Sequence, residues 1–252
     1  MYRLTLVTLL LLPSLALAQW PTTEWVVECM PDVLASLGDD ACDDSLPDSP
    51  AGLAKMQLEG ASEWLQARDF LPPTVEIDNG LYVAWIANNA SAPVFDEDWG
   101  WYDWDTDTGK VLLRASFWEG FGDHAGYGSF LAQQIPHSYT AVHLLFHAIQ
   151  QSYIPGAWLG TSERAWIWEG TAEFAVLYWY FDQTGIQPED PPQILSDPRH
   201  VSRDTDVDYD AYLFWVVVNR LAEGGSIFLQ VLFEADLVPD RGITGLHDAL
   251  LS

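Results

Sequence analysis

The chain has 252 residues and a formal net charge of −27, with 10 Lys and Arg against 37 Asp and Glu. This balance excludes nucleic acid as a partner, because a phosphate backbone requires a basic surface. A hydrophobic fraction of 49% excludes an acidic disordered protein. The acidic residues are therefore expected to coat a folded core, in either an ordinary acidic secreted protein or a protein of a high-salt habitat.

Residues 1–18 have the pattern of a secretory signal peptide. A basic n-region precedes an apolar run over Leu4–Leu12, and small residues end the segment at Ala18. We predict cleavage between Ala18 and Gln19 and a secreted or periplasmic mature chain. No later stretch is apolar over the ~18 residues that a membrane helix needs, so no transmembrane segment is expected after the signal peptide.

The mature chain contains two cysteines, Cys29 and Cys42. An even number of cysteines in an oxidising compartment predicts one disulfide. Two cysteines are too few for a zinc site built from thiolates.

In chain order, the pattern changes from mixed elements to helices. Apolar residues are spaced as in a helix over residues 23–36, with an interruption at Pro31, and again over residues 51–68. Three segments have the composition of strands: 74–77, 81–86 and 111–117. The later helical segments are 138–153, 164–181, 208–223, 226–234 and 243–251.

Strands followed by a run of helices predict an α+β fold. The length of the mature chain suits one domain over residues 19–252. We divide this domain into an N-terminal helical segment (19–70), a β-rich part (71–135) and a mostly helical part (136–252).

Helix 138–153 carries the most informative motif. His143 and His147 are four residues apart, so both imidazoles lie on one helix face and can hold one ion. Glu169 in the next helix would complete three ligands and leave a fourth position open, as in catalytic zinc sites. A buried histidine pair without a metal is the alternative.

These two segments resemble the gluzincins, zinc peptidases of the thermolysin-like and aminopeptidase-like type. Their pattern is His-Glu-x-x-His, followed in many members by Trp-x-x-Glu-Gly-x-Ala-Glu and an aromatic residue. The matching residues of the second motif are Trp166, Glu169, Gly170, Ala172, Glu173 and Phe174. The resemblance implies a zincin-like fold, one zinc ion held by His143, His147 and Glu169, and a supporting role for Glu173 behind a ligand.

The chain departs from the family at Leu144, where the family has its glutamate general base. The resemblance therefore implies a zinc-binding, catalytically impaired peptidase-like protein that binds a peptide or protein. An active metallohydrolase with a different base and a metal-free binding domain are the alternatives. Tyr209 and Tyr212 are candidates for the residue that stabilises the oxyanion in the family.

A stretch rich in aromatic and acidic residues precedes the last predicted strand. Asp103–Asp107 alternates as in a calcium loop, but Arg114 stands where an EF-hand has glutamate, so a solvated acidic loop is expected. Trp99, Trp101 and Trp104 either pack in the core or line a cleft for a peptide or sugar.

Overall fold

The computed structural model describes residues 20–87, 100–104, 108–114, 139–153 and 165–185. Several sequence predictions lie outside the described residues: the signal peptide 1–18, Trp99, Asp105, Asp107, Tyr209, Tyr212 and the helical segments 208–223, 226–234 and 243–251.

The described residues form helices and a mixed sheet. In chain order, the elements are β1 (Trp25–Cys29), α1 (Pro31–Leu37), α2 (Pro50–Gln66), β2 (Ile77–Asp78), β3 (Leu81–Ala87), β4 (Gly100–Asp103), β5 (Lys110–Arg114), α3 (Tyr139–Tyr153) and α4 (Ala165–Thr184). A 3-10 turn spans Asp39–Cys42. The prediction of mixed α and β structure is confirmed at this level, whereas the zincin-like arrangement stays a prediction.

The sheet has the strand order β1-β3-β5-β4. β1, β3 and β5 are parallel, and β4 runs antiparallel to β5. β2 pairs with the start of β3 across an Asn79-Gly80 turn, in which φ is positive at both residues. Such a turn matches the twist of a hairpin, and Asn-Gly adopts it readily.

The helical interpretation of residues 23–36 is wrong for Trp25–Cys29, which form strand β1. Trp25 and Val27 are buried on the same face of the strand, and Trp25 pairs with Tyr82 of β3. Side chains of a strand alternate between its faces, so this segment also satisfies a strand pattern, and pairing with β3 decides between the two. The helix begins only at Pro31, where the fixed φ of proline suits a first helical residue.

The helix predicted over residues 51–68 is confirmed as α2. Its N-cap residue Ser49 accepts a hydrogen bond from the backbone N–H of Gly52. Strand β4 was not expected, because its residues lie in a stretch that resembles a loop and are ordered by pairing with β5.

One hydrophobic core joins α2, α3 and α4 to one face of the sheet. Its largest fully buried side chains are Trp25, Tyr82, Tyr102, Phe70, Phe146, Phe174, Leu58, Leu65 and Ile86.

The predicted disulfide is confirmed: Cys29 at the end of β1 bonds to Cys42, with 5.6 Å between their Cα atoms. Among the described helices, none has the length and apolarity needed to cross a membrane.

Candidate metal centre

Helix α3 is buried from Thr140 to Gln150. A helix of this kind is expected to be apolar all round, yet His143 and His147 are only 6% and 4% exposed. Their ring centroids lie 4.5 Å apart, as residues one helical turn apart should be. Two buried imidazoles require polar partners, and α4 supplies them.

Glu169 of α4 reaches both histidines. Its Oε2 lies 3.0 Å from Nε2 of His143 and 3.4 Å from Nε2 of His147. The ligand atoms of the three residues all lie within 4.8 Å of one another. Two ligand atoms in a tetrahedral zinc site are about 3.3 Å apart, since each is about 2.0–2.1 Å from the ion. The spacing of these three residues is therefore compatible with a metal site.

Each histidine has another polar partner at its second ring nitrogen. Nδ1 of His143 lies 3.3 Å from Oε1 of Glu173, which is fully buried. Nδ1 of His147 lies 2.6 Å from Oε1 of Gln150. The contact of His147 with Gln150 is a hydrogen bond of the kind that orients histidine ligands in metal sites and determines which ring nitrogen carries the proton. The contact of His143 with Glu173 is a short N–O distance between two ionisable groups.

The electrostatics of the cluster centre on Glu169. Burial opposes its charge, but the charges of the two imidazoles and their hydrogen bonds hold the pKa of Glu169 well below its usual range. Burial lowers the pKa of His147, but Glu169 and the hydrogen bond with Gln150 outweigh it and raise that pKa. Burial and the charge of His147 lower the pKa of His143 despite its contact with Glu169.

The arrangement brings three electron-pair donors to one point. If each Nδ1 carries the imidazole proton, both Nε2 atoms and Glu169 Oε2 direct lone pairs at the same space. Such a group is stable only when a shared proton or a cation lies between the donors. The carboxylates of Glu169 and Glu173 carry two negative charges when ionised, which matches a divalent cation.

Leu144 is buried in the contact between α3 and β4. Gly100 of β4 lies so close that a Cβ atom there would be 2.6 Å from Cδ1 of Leu144 and 2.9 Å from Cγ2 of Thr140. A Cβ atom would also lie 2.9 Å from the backbone oxygen of Leu112, so a larger residue at position 100 would force β4 or its neighbours to shift. Leu144, which the resemblance implies to be at the general-base position, thus packs between helix and strand.

An aromatic surface lies beside the cluster. The ring of Trp104 is 5.9 Å from that of His147, and Trp101 is 5.8 Å from Trp104. Trp104 is partly buried against the main core.

Asp103, the first residue of the acidic loop, is the last residue of β4 and pairs with Lys110.

Gln150 is a neighbour of His147 that was not predicted as a site residue. It had a signal in the sequence, because it lies three residues after His147 on the same polar face of α3. Trp104 was a candidate for core packing or for a cleft, and its contact with His147 could not be predicted because it forms only when β4 packs on α3.

No protein-family model, curated protein or solved structure matches the chain.

Proposed function

We propose that the chain is a secreted, gluzincin-like protein that binds one zinc ion through His143, His147 and Glu169 and has little peptidase activity. The observation that carries this proposal is the convergence of two Nε2 atoms on one carboxylate oxygen, at 3.0 and 3.4 Å. The disulfide and the signal-peptide pattern support secretion, because disulfides persist in oxidising compartments.

The donor set favours zinc over other common divalent ions. Calcium and magnesium prefer sites made of oxygen ligands. Two imidazoles and one carboxylate, with a fourth position for water or substrate, are the ligands of many catalytic zinc sites. The hydrogen bond of Gln150 with Nδ1 of His147 leaves Nε2 of that ring as a ligand, and Nε2 of His143 faces the same oxygen of Glu169.

The proposed weakness in catalysis rests on Leu144. A bound zinc ion would supply Lewis acidity to polarise a carbonyl oxygen. A general base typically contributes about 10²–10⁴-fold to such reactions, and leucine offers none. Glu173 does not replace it, because Glu173 contacts Nδ1 of His143, at the opposite side of the ring from Nε2.

The proposed ligand is a peptide or an unfolded protein segment. The resemblance to peptidases supports this class, and so does Trp104 beside His147, with Trp101 next to Trp104. Aromatic side chains supply large apolar contact areas at binding sites.

Metal content of the mature chain, residues 19–252, tests the proposal. Protein purified without chelator should contain about one zinc per chain by elemental analysis. His143→Ala and Glu169→Ala should each remove most of it, because each removes one of three ligands. Glu63→Ala, which changes an exposed glutamate of α2, is the matched control and should retain the ion.

Two outcomes would contradict the proposal. Wild type with less than roughly a tenth of an equivalent of any transition metal, even after zinc is added back, would favour a metal-free domain. Fast, chelator-sensitive hydrolysis of a peptide library would instead show an active enzyme with a base other than residue 144.

A further inference from the structure

The side chain of Gln150, a residue of α3, is enclosed between α3 and α4. Its side chain is fully buried, and its Nε2 lies 2.9 Å from the backbone oxygen of Trp168 and 2.8 Å from Oγ1 of Thr171. Its Oε1 lies 2.6 Å from Nδ1 of His147. All hydrogen-bonding atoms of the amide group thus contact named partners.

These contacts determine the orientation of the Gln150 amide. A backbone carbonyl can only accept a hydrogen bond, so the group that faces the oxygen of Trp168 must be the NH₂ group. Thr171 Oγ1 lies 3.3 Å from that same carbonyl and donates its own proton there, which leaves its lone pairs to accept from Gln150. The oxygen of Gln150 must therefore face His147.

The orientation of the amide determines the proton of His147 in turn. An amide oxygen can only accept, so Nδ1 of His147 must carry a proton. The Nε2 atom of the neutral ring is then the one with a free lone pair, and it is the atom that points to Glu169.

We infer that Gln150 is a positioning residue for the metal centre: it holds His147 in the form protonated at Nδ1, with Nε2 ready to bind the ion. This inference rests on the proposed zinc site and adds a residue to it. His147 is oriented by a neutral amide that is itself held by α4, whereas Nδ1 of His143 lies 3.3 Å from the carboxylate of Glu173. The carbonyl of Trp168 and the hydroxyl of Thr171 thereby act on the metal ligand through Gln150.

The residue type matters at this position. Glutamate would present a second acceptor to the carbonyl of Trp168, which has no proton to offer. Leucine has a similar size but cannot accept the proton of Nδ1. Gln150→Leu should therefore keep the packing of α3 on α4 while it releases the His147 ring to protonate at either nitrogen.

The experiment compares wild type, Gln150→Leu and Gln57→Leu as full mature chains. Gln57 is a buried glutamine of α2, so its substitution controls for the loss of a buried amide away from α4. Nitrogen NMR of ¹⁵N-histidine-labelled protein reports the protonation of each ring nitrogen at mildly alkaline pH. Competition with a chromophoric chelator gives the zinc affinity of each protein.

We expect Nδ1 of His147 to be protonated in wild type and in Gln57→Leu, both with and without zinc. In Gln150→Leu the metal-free ring should show a mixture of the two forms, and zinc affinity should fall about 10–100-fold, the usual effect of losing such a contact. Gln57→Leu should bind zinc as wild type does.

The outcomes separate this inference from the proposed function. If wild type binds zinc with Nδ1 of His147 unprotonated, the inference is overturned without any variant, so a Gln150→Leu protein that fails to fold does not prevent the test. If Gln150→Leu binds zinc as tightly as wild type, the inference is also overturned and the zinc site stands. If wild type binds no zinc, the proposed function fails, and the role of Gln150 toward a metal fails with it.

Discussion

The contact of α2 with the sheet and the contact of α3 with α4 are both buried, but they consist of different atoms. In the first, apolar residues such as Leu58 and Leu65 share a core with Trp25 and Tyr82. The second contains a polar seam, by which we mean His143, His147, Gln150, Glu169, Thr171 and Glu173. The stability of the first contact comes mainly from apolar burial, whereas the second requires each of its buried polar groups to be paired.

The physical difference lies in the cost of burial. A fully buried apolar side chain stabilises the fold by about 1.5–3 kcal/mol. A buried charge costs several kcal/mol unless it is paired and hydrogen-bonded. The α2 contact, in which Ser62 and Glu59 accept hydrogen bonds from Trp25, should thus be insensitive to metal. The polar seam should respond to both metal and pH.

The largest expected effect on stability comes from a charge placed at Leu144, the buried apolar residue next to His143 of the seam. Leu144→Glu directs a carboxylate into the packed contact with Gly100 and Thr140, so the free energy of unfolding should fall by about 4 kcal/mol or more. Chemical denaturation measures this loss. Where the carboxylate turns out of this contact toward the metal, the folded, zinc-loaded protein should show faster chelator-sensitive peptide hydrolysis, by up to the ~10²–10⁴ of a general base.

Leu144→Met is the control for packing. It keeps the volume and the apolar character of the side chain and should cost less than about 1.5 kcal/mol. A Leu144→Glu protein as stable as wild type would show that residue 144 faces an open cleft and that the edge of the seam is not packed as described.

A second pair of substitutions compares the two interfaces directly. Leu58→Ala in the α2 contact should lower the free energy of unfolding by about 3 kcal/mol, equally with and without zinc. Glu173→Gln in the seam should instead reduce the stabilisation that zinc confers by about 1.4–2.7 kcal/mol, which corresponds to a 10–100-fold loss of affinity. Thermal melts of both variants over a zinc titration measure these terms.

Equal responses of the two variants to zinc would remove the distinction between the interfaces. A zinc effect in Leu58→Ala that differs from that of wild type would show that Leu58 affects the affinity of the seam for zinc, or that the two regions do not unfold in one transition.

The smallest expected effect concerns acid. The pKa of Glu169 lies below its ordinary value near 4.5, so its contribution to stability is complete above about pH 4.5 and is lost as the pH falls toward the lower folded pKa. In metal-free protein, Glu169→Gln should remove this part of the acid dependence, in which each unit of pKa difference corresponds to about 1.4 kcal/mol. Denaturation of wild type and variant across pH 3–7 measures the difference.

Two controls belong to this measurement. Glu63→Gln removes an exposed carboxylate of α2 and should show the same dependence of stability on pH as wild type. Leu58→Ala should shift the whole curve without a change of shape. Parallel curves for Glu169→Gln and wild type would contradict the described pairing of Glu169 with the histidines.

Local patterns in the sequence identified the parts of the site that depend on helix geometry. The spacing of His143 and His147 indicates one helix face whatever surrounds it, because a helix repeats every 3.6 residues. The approach of Glu169 followed from a family resemblance, and the structure places it within contact of both histidines. The disulfide was predicted from the even number of cysteines and the expected oxidising compartment. Its formation needs only a short loop of the chain to close.

Only the tertiary structure decided the features that depend on distant partners. Trp25–Cys29 satisfies both helical and strand patterns locally, and β3 selects the strand. The packing of Leu144 on Gly100 and of Trp104 on His147 requires β4 to lie on α3. The direction of the Gln150 amide depends on a backbone carbonyl of α4, 18 residues away. Such contacts are absent from any local pattern, because side-chain periodicity reports which face is buried and not which atom lies opposite.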